Sequence, residues 1–445
     1  MSSAAERSGR PAHSEEAVIP GLEVSVWEQM LSPQNLSRAL RRVEANRGAP
    51  GVDGMTTGQL RPWLHEHWVQ VRKALDAGTY QPSPVRRVVI PKPGGGERLL
   101  GVPTCLDRLV QQAIAQVLTP VFDPHFSESS FGFRPGRSAH QAVRVARQCI
   151  VDGLEWVADI DLDRFFDRVQ FDVLMARVAR KVSDRKILRL IRRYLEAGVM
   201  VDGIRQATVE GTPQGSPLSP ILSNIMLDDL DRELEKRGHR FVRYADDLRV
   251  FVRSKRAAHR VLDGVTDVVE ERLRLKVNQE KSSIRHAAQA TLLGFGFFLH
   301  GPQVRIWVAC KAIMRLKNQL RTLTRRNWSV SMEYRIGRLN RFITGWMAYF
   351  RLADTGNLVR EMDRWLRRRL RQIRWKEWKT TAARRHNLRV RGISESNVRK
   401  WGGSSKGYWR IAGSPVLHVA LPSTYWTHLG LKTLSQTWQR LYQTA

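Results

Sequence analysis

Apolar residues in the first part of the chain recur either at helical spacing or in short continuous runs. Residues 22–80 have helical spacing, broken by the Gly- and Pro-rich loop NRGAPGVDG at 46–54. Residues 85–103 predict two short strands joined by a Gly-rich turn, and residues 107–122 predict a helix. The stretch WVADIDLDRFF, 156–166, predicts a strand that runs into a turn or helix. The pattern therefore indicates a mixed α and β fold.

The same alternation continues to about residue 310 and then changes. Residues 211–238 predict a turn followed by a long helix, and FVRYADDLRVFV, 241–252, predicts a β-hairpin. Residues 256–275 predict a helix, and residues 291–308 predict paired strands. From about residue 311 the pattern predicts long helices that are rich in Arg and Trp.

These changes divide the chain into four expected segments. Residues 1–21 are polar and acidic, without the apolar core of a signal peptide, and are expected to form a flexible tail. Residues 22–305 hold the mixed elements, and residues 306–385 hold the long helices. Residues 386–445 form a basic extension that begins near the polar stretch GISESNVRKWGGSSKG.

Composition excludes several classes of protein. The hydrophobic content of 42% and charged content of 26% are typical of a globular protein. No apolar run reaches the length that a membrane helix needs. The three cysteines, Cys105, Cys149 and Cys310, lie far apart, which predicts neither a disulfide framework nor a zinc site and suits a reducing cytosol.

The distribution of charge points to a polyanionic partner. Formal net charge is +32, and residues 301–445 carry 30 Lys and Arg against only 6 Asp and Glu, whereas the first 300 residues carry 44 against 36. Such an excess predicts salt-dependent binding to nucleic acid. An anionic membrane is the less favoured alternative, because the basic residues are mixed with Trp along several predicted helices rather than confined to one short amphipathic segment.

Two groups of acids then suggest what is done to that partner. Asp246 and Asp247 lie at the expected tip of an apolar hairpin, and the upstream strand VADIDLD carries Asp159, Asp161 and Asp163 on one face. Adjacent carboxylates repel unless a cation lies between them, and oxygen ligands of this kind suit Mg²⁺. The alternative is a solvated turn, since Asp is common in turns. Periodicity does not choose among the three upstream aspartates.

In several ordered sequence blocks, the chain resembles the reverse transcriptase/maturases encoded by group II introns. Eight blocks carry the resemblance in the family's order: GVDG, IPKPGGGERLLGVPTCLDRLVQQAI, SFGFRPGRSAHQAV, DIDLDRFFDRV, GTPQGSPLSPILSNIMLDDLD, FVRYADD, LRLKVNQEKS and LLGFGF. The resemblance implies an α+β right-hand polymerase fold. Fingers and a palm with an antiparallel sheet would occupy residues 22–305, and an all-helical thumb, or maturase domain, would occupy residues 306–385.

The resemblance also implies a role for individual residues at the reaction centre. It makes Asp161, Asp246 and Asp247 the catalytic aspartates, which hold two Mg²⁺ ions with the carbonyl of Leu162; Mn²⁺ would be a possible substitute. The nucleotide-binding residues would be Lys92, Arg98, Phe166, Gln214 and Lys281. Among these, Phe166 resembles the aromatic gate that favours dNTPs over rNTPs, although a core Phe is the plainer alternative.

A second set is expected to contact RNA or template. It comprises Asn46, Arg47 and Gly48 in the first loop, Arg134 and Arg137, and the helical residues Arg367, Arg368, Arg371, Arg374 and Lys376. For Arg134 and Arg137, a structural pairing with a palm carboxylate is the alternative. The tryptophans of the same helices favour a core position over stacking on bases.

The implied function is RNA-directed DNA polymerisation by a protein that binds its group II intron RNA. Expected partners are that RNA, an RNA template with a DNA primer, dNTPs and target DNA, but no membrane; monomer and homodimer both stay open. The extension 386–445 contains no Cys, which suggests a member without the HNH endonuclease. Action in the bacterial cytoplasm at the nucleoid is expected. The alternatives are a splicing-only RNA-binding maturase and a reverse transcriptase domesticated for defence or repair.

Overall fold

The chain forms two compact units, each built from two stretches of sequence. The computed structural model describes residues 25–91, 97–201, 204–206, 211, 215–300 and 303–442. The first unit comprises Met1–Phe126 and Arg164–Met226, and the second comprises Ser127–Asp163 and Leu227–Ala445. The expected tail at 1–21 lies outside the described residues.

Helices dominate the described residues. In chain order they are α1 (Val26–Leu31), α2 (Pro33–Asn46), α3 (Thr57–Asp76), α4 (Cys105–Phe122), α5 (Ala139–Val151), α6 (Phe165–Arg168), α7 (Phe171–Ala179), α8 (Arg185–Glu196), α9 (Ser219–Lys236), α10 (Lys255–Asp267), α11 (Cys310–Leu323), α12 (Met332–Tyr349), α13 (Gly356–Glu377), α14 (Thr381–Val390), α15 (Glu395–Gly402), α16 (Tyr408–Ile411), α17 (Pro415–Ala420), α18 (Ser423–His428) and α19 (Leu434–Tyr442).

The strands form three sheets. They are β1 (Val85–Pro91), β2 (Glu97–Val102), β3 (Trp156–Asp161), β4 (Val199–Val201), β5 (Ile204–Gln206), β6 (Arg240–Tyr244), β7 (Asp247–Val252), β8 (Ser283–His286), β9 (Thr291–Leu292), β10 (Phe295–His300) and β11 (Gln303–Val308). Their orders are β2-β1-β4-β5, β6-β7-β3-β8 and β11-β10-β9.

In the first unit, local sequence sets where the helices begin. Ser25 and Glu28 form a capping box at the start of α1, and the Thr104 hydroxyl accepts a hydrogen bond from the Asp107 N–H at the start of α4. Helix α4 is buried on most of its circumference and packs against α1, α2 and α3. It is therefore the central helix of this unit.

The second unit is organised around the sheet β6-β7-β3-β8, which we name the aspartate sheet. All of its neighbouring strands are antiparallel. Val157 and Phe251 on one face share a core with α5, and α10 packs against β3 and β7. Burial of the sheet by helices gives its strands the apolar runs seen in the sequence.

Most of the helices after residue 310 contribute to one large core. Its buried members include Leu320, Ile343, Leu370, Trp375 and Trp426. The expected boundary at 386 falls within α14, and helices on both sides of it contribute to this core. The Asp363 carboxylate accepts hydrogen bonds from the N–H groups of residues 434 and 435, which ties α13 to the start of α19.

The described elements confirm the predicted fold class of an α+β region followed by long helices. No described helix is long and apolar enough to cross a membrane. All three cysteines are free thiols, with Cys105 and Cys149 buried.

Candidate functional site

The two adjacent aspartates occupy different positions in the hairpin. Sequence reasoning placed both at the tip, but only Asp246 lies in the turn, next to Ala245. Ala245 has a left-handed φ of 60°, which a two-residue hairpin turn requires at its first central position. Asp247 is the first residue of β7 and pairs with Tyr244 across the hairpin. The hairpin thus carries two carboxylates on consecutive residues, Asp246 in the turn and Asp247 at the start of β7.

A neighbouring loop fixes this turn from outside. The Phe131 N–H donates to the Arg243 carbonyl at 2.9 Å, so the loop pairs with the edge of β6. A Cβ atom at Gly132 would lie 2.1 Å from the Ala245 nitrogen, so only glycine fits there. Sequence reasoning assigned no role to Gly132, although it belongs to the SFGFRPG block.

Asp161 lies at the end of β3 and faces the hairpin. It pairs directly with Asp247 in the antiparallel register. The Asp161 carbonyl accepts a hydrogen bond from the Asn278 N–H at 2.8 Å, and its own N–H donates to the Ser282 hydroxyl at 3.1 Å. Leu162 follows and forms an isolated bridge with Val277. The backbone of Asp161 is therefore held by β7 on one side and by Asn278 and Ser282 on the other.

Two cations lie against these carboxylates. Lys281 Nζ is 3.7 Å from Asp161 Oδ1, and Arg249 forms an ion pair with Asp247. Among the described residues, no three carboxylate, imidazole or thiol groups converge as a ready-made metal site. The donor set itself fits Mg²⁺, because carboxylate oxygens from the opposed Asp161 and Asp247 and from the adjacent turn are hard ligands.

Arg249 also binds the third aspartate of this face. Asp159 pairs with Arg249 two residues along the ladder from the Asp161–Asp247 pair, and Arg249 Nη2 lies 3.2 Å from both Asp159 carboxylate oxygens. Burial raises the pKa of Asp159, and the charge of Arg249 opposes that rise. Burial likewise lowers the pKa of Arg249, against the attraction of Asp159 and Asp161. Sequence reasoning missed Arg249, although its place two residues after Asp247 puts it on the same face.

In the first unit, Phe166 lies in the short helix α6. Phe165 is buried, whereas Phe166 is half-buried, and the two rings meet edge-to-face at 5.1 Å. Gly211, with φ of 98°, lies close to the backbone of α6: its N–H donates to the Val169 carbonyl at 2.9 Å, and a Cβ there would approach the Phe166 carbonyl to 3.0 Å. Contacts with Gly211 therefore hold the backbone that carries Phe166. The role of Phe166 as a gate stays a prediction.

The other expected nucleotide-binding residues of this unit are less fully described. Lys92 and Gln214 lie outside the described residues. Arg98 pairs with Ile90 in the antiparallel β1–β2 ladder, as the sequence predicts for strands on either side of a turn.

The loop after α2 packs closely against Arg108. Asn46 ends the helix and Arg47 has a left-handed φ of 45°. A Cβ at Gly48 would meet the buried Arg108 guanidinium at 2.7 Å, and the Arg108 Nε–H donates to the Pro103 carbonyl at 2.9 Å. Asn46 and Arg47 are exposed, which leaves both accessible to a template.

The two arginines of the SFGFRPG block have different surroundings. Arg134 is buried, and its guanidinium donates to the carbonyls of Ser127 and Ser130 at 2.6 and 3.0 Å. Arg137 forms an ion pair with Glu128. These contacts give Arg134 a structural role through backbone carbonyls.

Helix α13 presents a strongly basic cleft of about 520 Å³. Its lining includes Arg364, Arg367, Arg368, Arg371, Trp409 and His418, with Glu361 as the acidic member of the lining. Burial, and then repulsion from Arg367 and Arg368, lower the pKa of Arg371 to about 10. Burial and the same arginines lower the pKa of His418. Positive charge is thus concentrated here without matching acids.

The arginines of this helix differ in how their guanidinium groups are used. Arg371 is buried and donates to the Leu421 carbonyl at 3.2 Å, and Arg368 stacks 4.1 Å from the Trp409 ring. Arg374 forms an ion pair with Glu377 at 2.7 Å. Lys376 donates to the Arg326 carbonyl at 3.0 Å. RNA binding by these residues stays a prediction; among them, Arg367 lines the cleft and is half-buried.

A hairpin with paired aspartates on an antiparallel sheet, followed along the chain by basic helices, is the arrangement expected of a nucleic-acid polymerase of the reverse transcriptase class. Comparison with known families agrees. Residues 90–297 match the family "Reverse transcriptase (RNA-dependent DNA polymerase)", and residues 313–392 match "Group II intron, maturase-specific domain".

Curated relatives narrow the class. The chain is 33% identical over 325 residues to Protein YkfC of Escherichia coli, covering 64% of this chain and 84% of the relative. It is 27% identical over 336 residues to the group II intron-encoded protein LtrA of Lactococcus lactis, covering 61% of this chain and 56% of the relative. It is 33% identical over 208 residues to the putative COX1/OXI3 intron 1 protein of Saccharomyces cerevisiae, covering 45% and 24%.

The chain belongs to the family of group II intron-encoded reverse transcriptases with a maturase domain. This confirms the resemblance drawn from the ordered sequence blocks. The chain spans little more than half the length of LtrA.

Proposed function

We propose that this protein is an RNA-directed DNA polymerase encoded by a group II intron, which binds the intron RNA to assist splicing and copies it into DNA during retrohoming. One observation carries the proposal: Asp161 and Asp247 are directly opposed in the aspartate sheet, with Asp246 in the adjoining turn. Like charges at opposed positions destabilise a sheet, so their presence in a buried sheet calls for a function.

The function proposed for these carboxylates is to hold Mg²⁺. Asp161, Asp246 and Asp247 would supply carboxylate oxygens, and Leu162 would add its carbonyl. When bound, Mg²⁺ would lower the pKa of the primer 3′-hydroxyl and stabilise the negative charge on the leaving pyrophosphate. The hydrogen bonds of the Asp161 backbone with Ser282 and Asn278, together with the hairpin turn, would hold these ligands in place before any ion arrives.

Selection of the nucleotide is proposed to depend on Phe166. A ring at this position would clash with a 2′-hydroxyl and so favour dNTPs. The close packing of Gly211 on the backbone of α6 supports this role, because the ring can exclude a 2′-hydroxyl only if its backbone stays in place. Lys92, Arg98 and Gln214 are proposed to bind the triphosphate and template. Lys281, already paired with Asp161, is proposed to lie beside the primer end.

The nucleic-acid partners are proposed to be the intron RNA, a primed RNA template and target DNA. The basic cleft on α13 supports this, because arginines without matching acids attract phosphates. Trp409, partly exposed beside Arg368, offers an aromatic surface for a base. We propose that these events take place in the cytoplasm, at the nucleoid.

A primer-extension assay tests the proposal. Purified protein with a primed RNA template, dNTPs and Mg²⁺ should extend the primer, and Asp246→Ala should abolish extension while leaving RNA binding intact. Absence of Mg²⁺-dependent dNTP incorporation by the wild-type protein would refute the enzymatic part. A matched assay with rNTPs and Phe166→Ala should show relaxed selection against the 2′-hydroxyl.

A further inference from the structure

Arg249 is the most firmly held cation next to the paired aspartates. Its side chain is only 11% exposed, whereas that of Lys281 is 65% exposed. Both lie against a carboxylate of the opposed pair, Arg249 on Asp247 and Lys281 on Asp161. Lys281 can therefore swing into solvent when a metal ion arrives, but Arg249 has little room to do so.

Asp159 anchors Arg249 in this position. The two residues are direct cross-strand partners, and Arg249 Nη2 is 3.2 Å from each Asp159 oxygen. The Nη2 atom of Arg249 thus contacts Asp159, and its Nη1 atom forms the ion pair with Asp247. Because a guanidinium is planar and keeps its charge, the two carboxylates share one fixed cation.

A fixed cation of this kind has two opposite effects. Without metal, it offsets the repulsion between Asp161 and Asp247 and so stabilises the sheet. With metal, its charge lies next to one of the carboxylates that would bind the ion. A cation close to a divalent ion in a partly buried site repels it strongly.

We propose that Arg249, anchored by Asp159, is a built-in counter-ion of the aspartates that stabilises the metal-free sheet and weakens the binding of a divalent cation in the absence of nucleotide. Arg249 is a positioning residue in this proposal, since it acts through Asp247. The proposal rests on the proposed function, because it assumes that Asp161 and Asp247 bind metal. Its consequence is that tight metal binding needs the additional phosphate oxygens of an incoming nucleotide.

The test removes the pair without leaving a buried charge behind. In the double variant Asp159→Asn/Arg249→Gln both partners become neutral and keep nearly the same shape. Mn²⁺ binding to the protein without nucleotide is measured by electron paramagnetic resonance at fixed ionic strength. The expected result is that Mn²⁺ binds about tenfold more tightly to the double variant than to the wild type. Added Mn²⁺ should also raise the melting temperature of the variant more than that of the wild type.

Two further variants serve as controls, one for the charge at position 249 and one for the loss of an ion pair elsewhere. Arg249→Lys keeps the charge and should bind Mn²⁺ like the wild type. Arg305→Gln/Asp354→Asn removes a different ion pair of the same unit, 3.3 Å long, and should leave Mn²⁺ binding unchanged. If the double variant does not fold, Arg249→Gln alone provides the comparison, with at least as large a gain in affinity because Asp159 keeps its charge.

The outcomes distinguish this inference from the proposed function. Unchanged or weaker Mn²⁺ binding in the double variant would overturn the counter-ion role, and weaker binding would mean that Arg249 holds Asp247 ready for the ion. Primer extension by the wild type in either case would leave the polymerase function standing. No Mn²⁺ binding and no extension by the wild type would instead remove the proposed function itself.

Discussion

Asp161 on β3 lies directly across from Asp247 on β7, so two carboxylates meet on one face of a packed sheet. Opposed like charges in a sheet cost stability, typically by some tenths of a kcal/mol to about 1 kcal/mol. The pairs with Arg249 and Lys281 offset part of that cost. This juxtaposition, together with the family assignment, makes the carboxylate pair the first target for mutation.

Replacing Asp161 with Asn should separate activity from stability. We expect primer extension to fall by a factor on the order of 10³, because a metal ligand is lost. Stability should stay level or rise by about 0.5 kcal/mol, because the repulsion with Asp247 is relieved. Urea unfolding and primer extension on the same preparation measure both. Asp163→Asn is the matched control: it lies on the same segment but beyond the end of β3, and should retain activity.

Gly132→Ala should disturb the turn that carries Asp246. The added methyl group would lie 2.1 Å from the Ala245 nitrogen, so the turn or the loop must move. We expect a loss of about 2 kcal/mol in stability, as for overpacked cores, together with loss of primer extension. Gly337→Ala in α12 meets nothing within 4 Å and should be neutral or slightly stabilising. Equal melting temperatures for wild type and Gly132→Ala would contradict the steric argument.

Asp228 should make stability depend on pH. Burial, and then repulsion from Asp231, raise the pKa of Asp228 from 3.8 to about 6. The folded state therefore keeps a proton that the unfolded chain releases, so this residue's contribution to stability falls as pH rises from about 4 to 6. Asp228→Asn should be more stable than wild type above pH 6, by up to about 3 kcal/mol, with the difference shrinking near pH 4. Melting temperatures of both proteins across this range provide the check, and parallel pH profiles would contradict the argument.

Arg367→Gln should weaken binding to nucleic acid without affecting the fold. Arg367 lines the basic cleft on α13 and repels Arg371, so its removal also relieves strain between like charges. Affinity for RNA should fall, and the slope of log affinity against log salt should decrease by about one. Fluorescence anisotropy at several salt concentrations measures this. Arg399→Gln, whose charge is already offset by Glu395 at 3.5 Å, is the control and should change the slope little.

Much of the fold followed from local patterns in the sequence. The hairpin at 241–252, the paired strands at 291–308 and the Trp-rich helices after 311 all occur where the pattern predicts them. These patterns involve residues only a few positions apart, so they can be recognised without knowledge of the fold. Hence the sequence by itself determined the element types, the basic last third of the chain and the pair of aspartates at a hairpin.

The pairing of strands was decided only in three dimensions. Alternation put Asp159, Asp161 and Asp163 on one face and could not choose among them. The register of β3 against β7 sets Asp161 opposite Asp247 and Asp159 opposite Arg249, while Asp163 lies past the end of the strand. A shift of the register by two residues would keep the same face but change every partner, and no local signal fixes that shift.

The same limit applies to the basic helices. From spacing alone, Arg367 and Arg371 are equivalent, and both line the cleft, yet Arg371 is buried and donates to the Leu421 carbonyl whereas Arg367 is only half-buried. Which arginine meets solvent depends on how α13 packs against helices more than 40 residues away in sequence. The sequence determined which groups this protein has, and the tertiary structure decided which of them meet, because ion pairs and burial depend on contacts between distant segments.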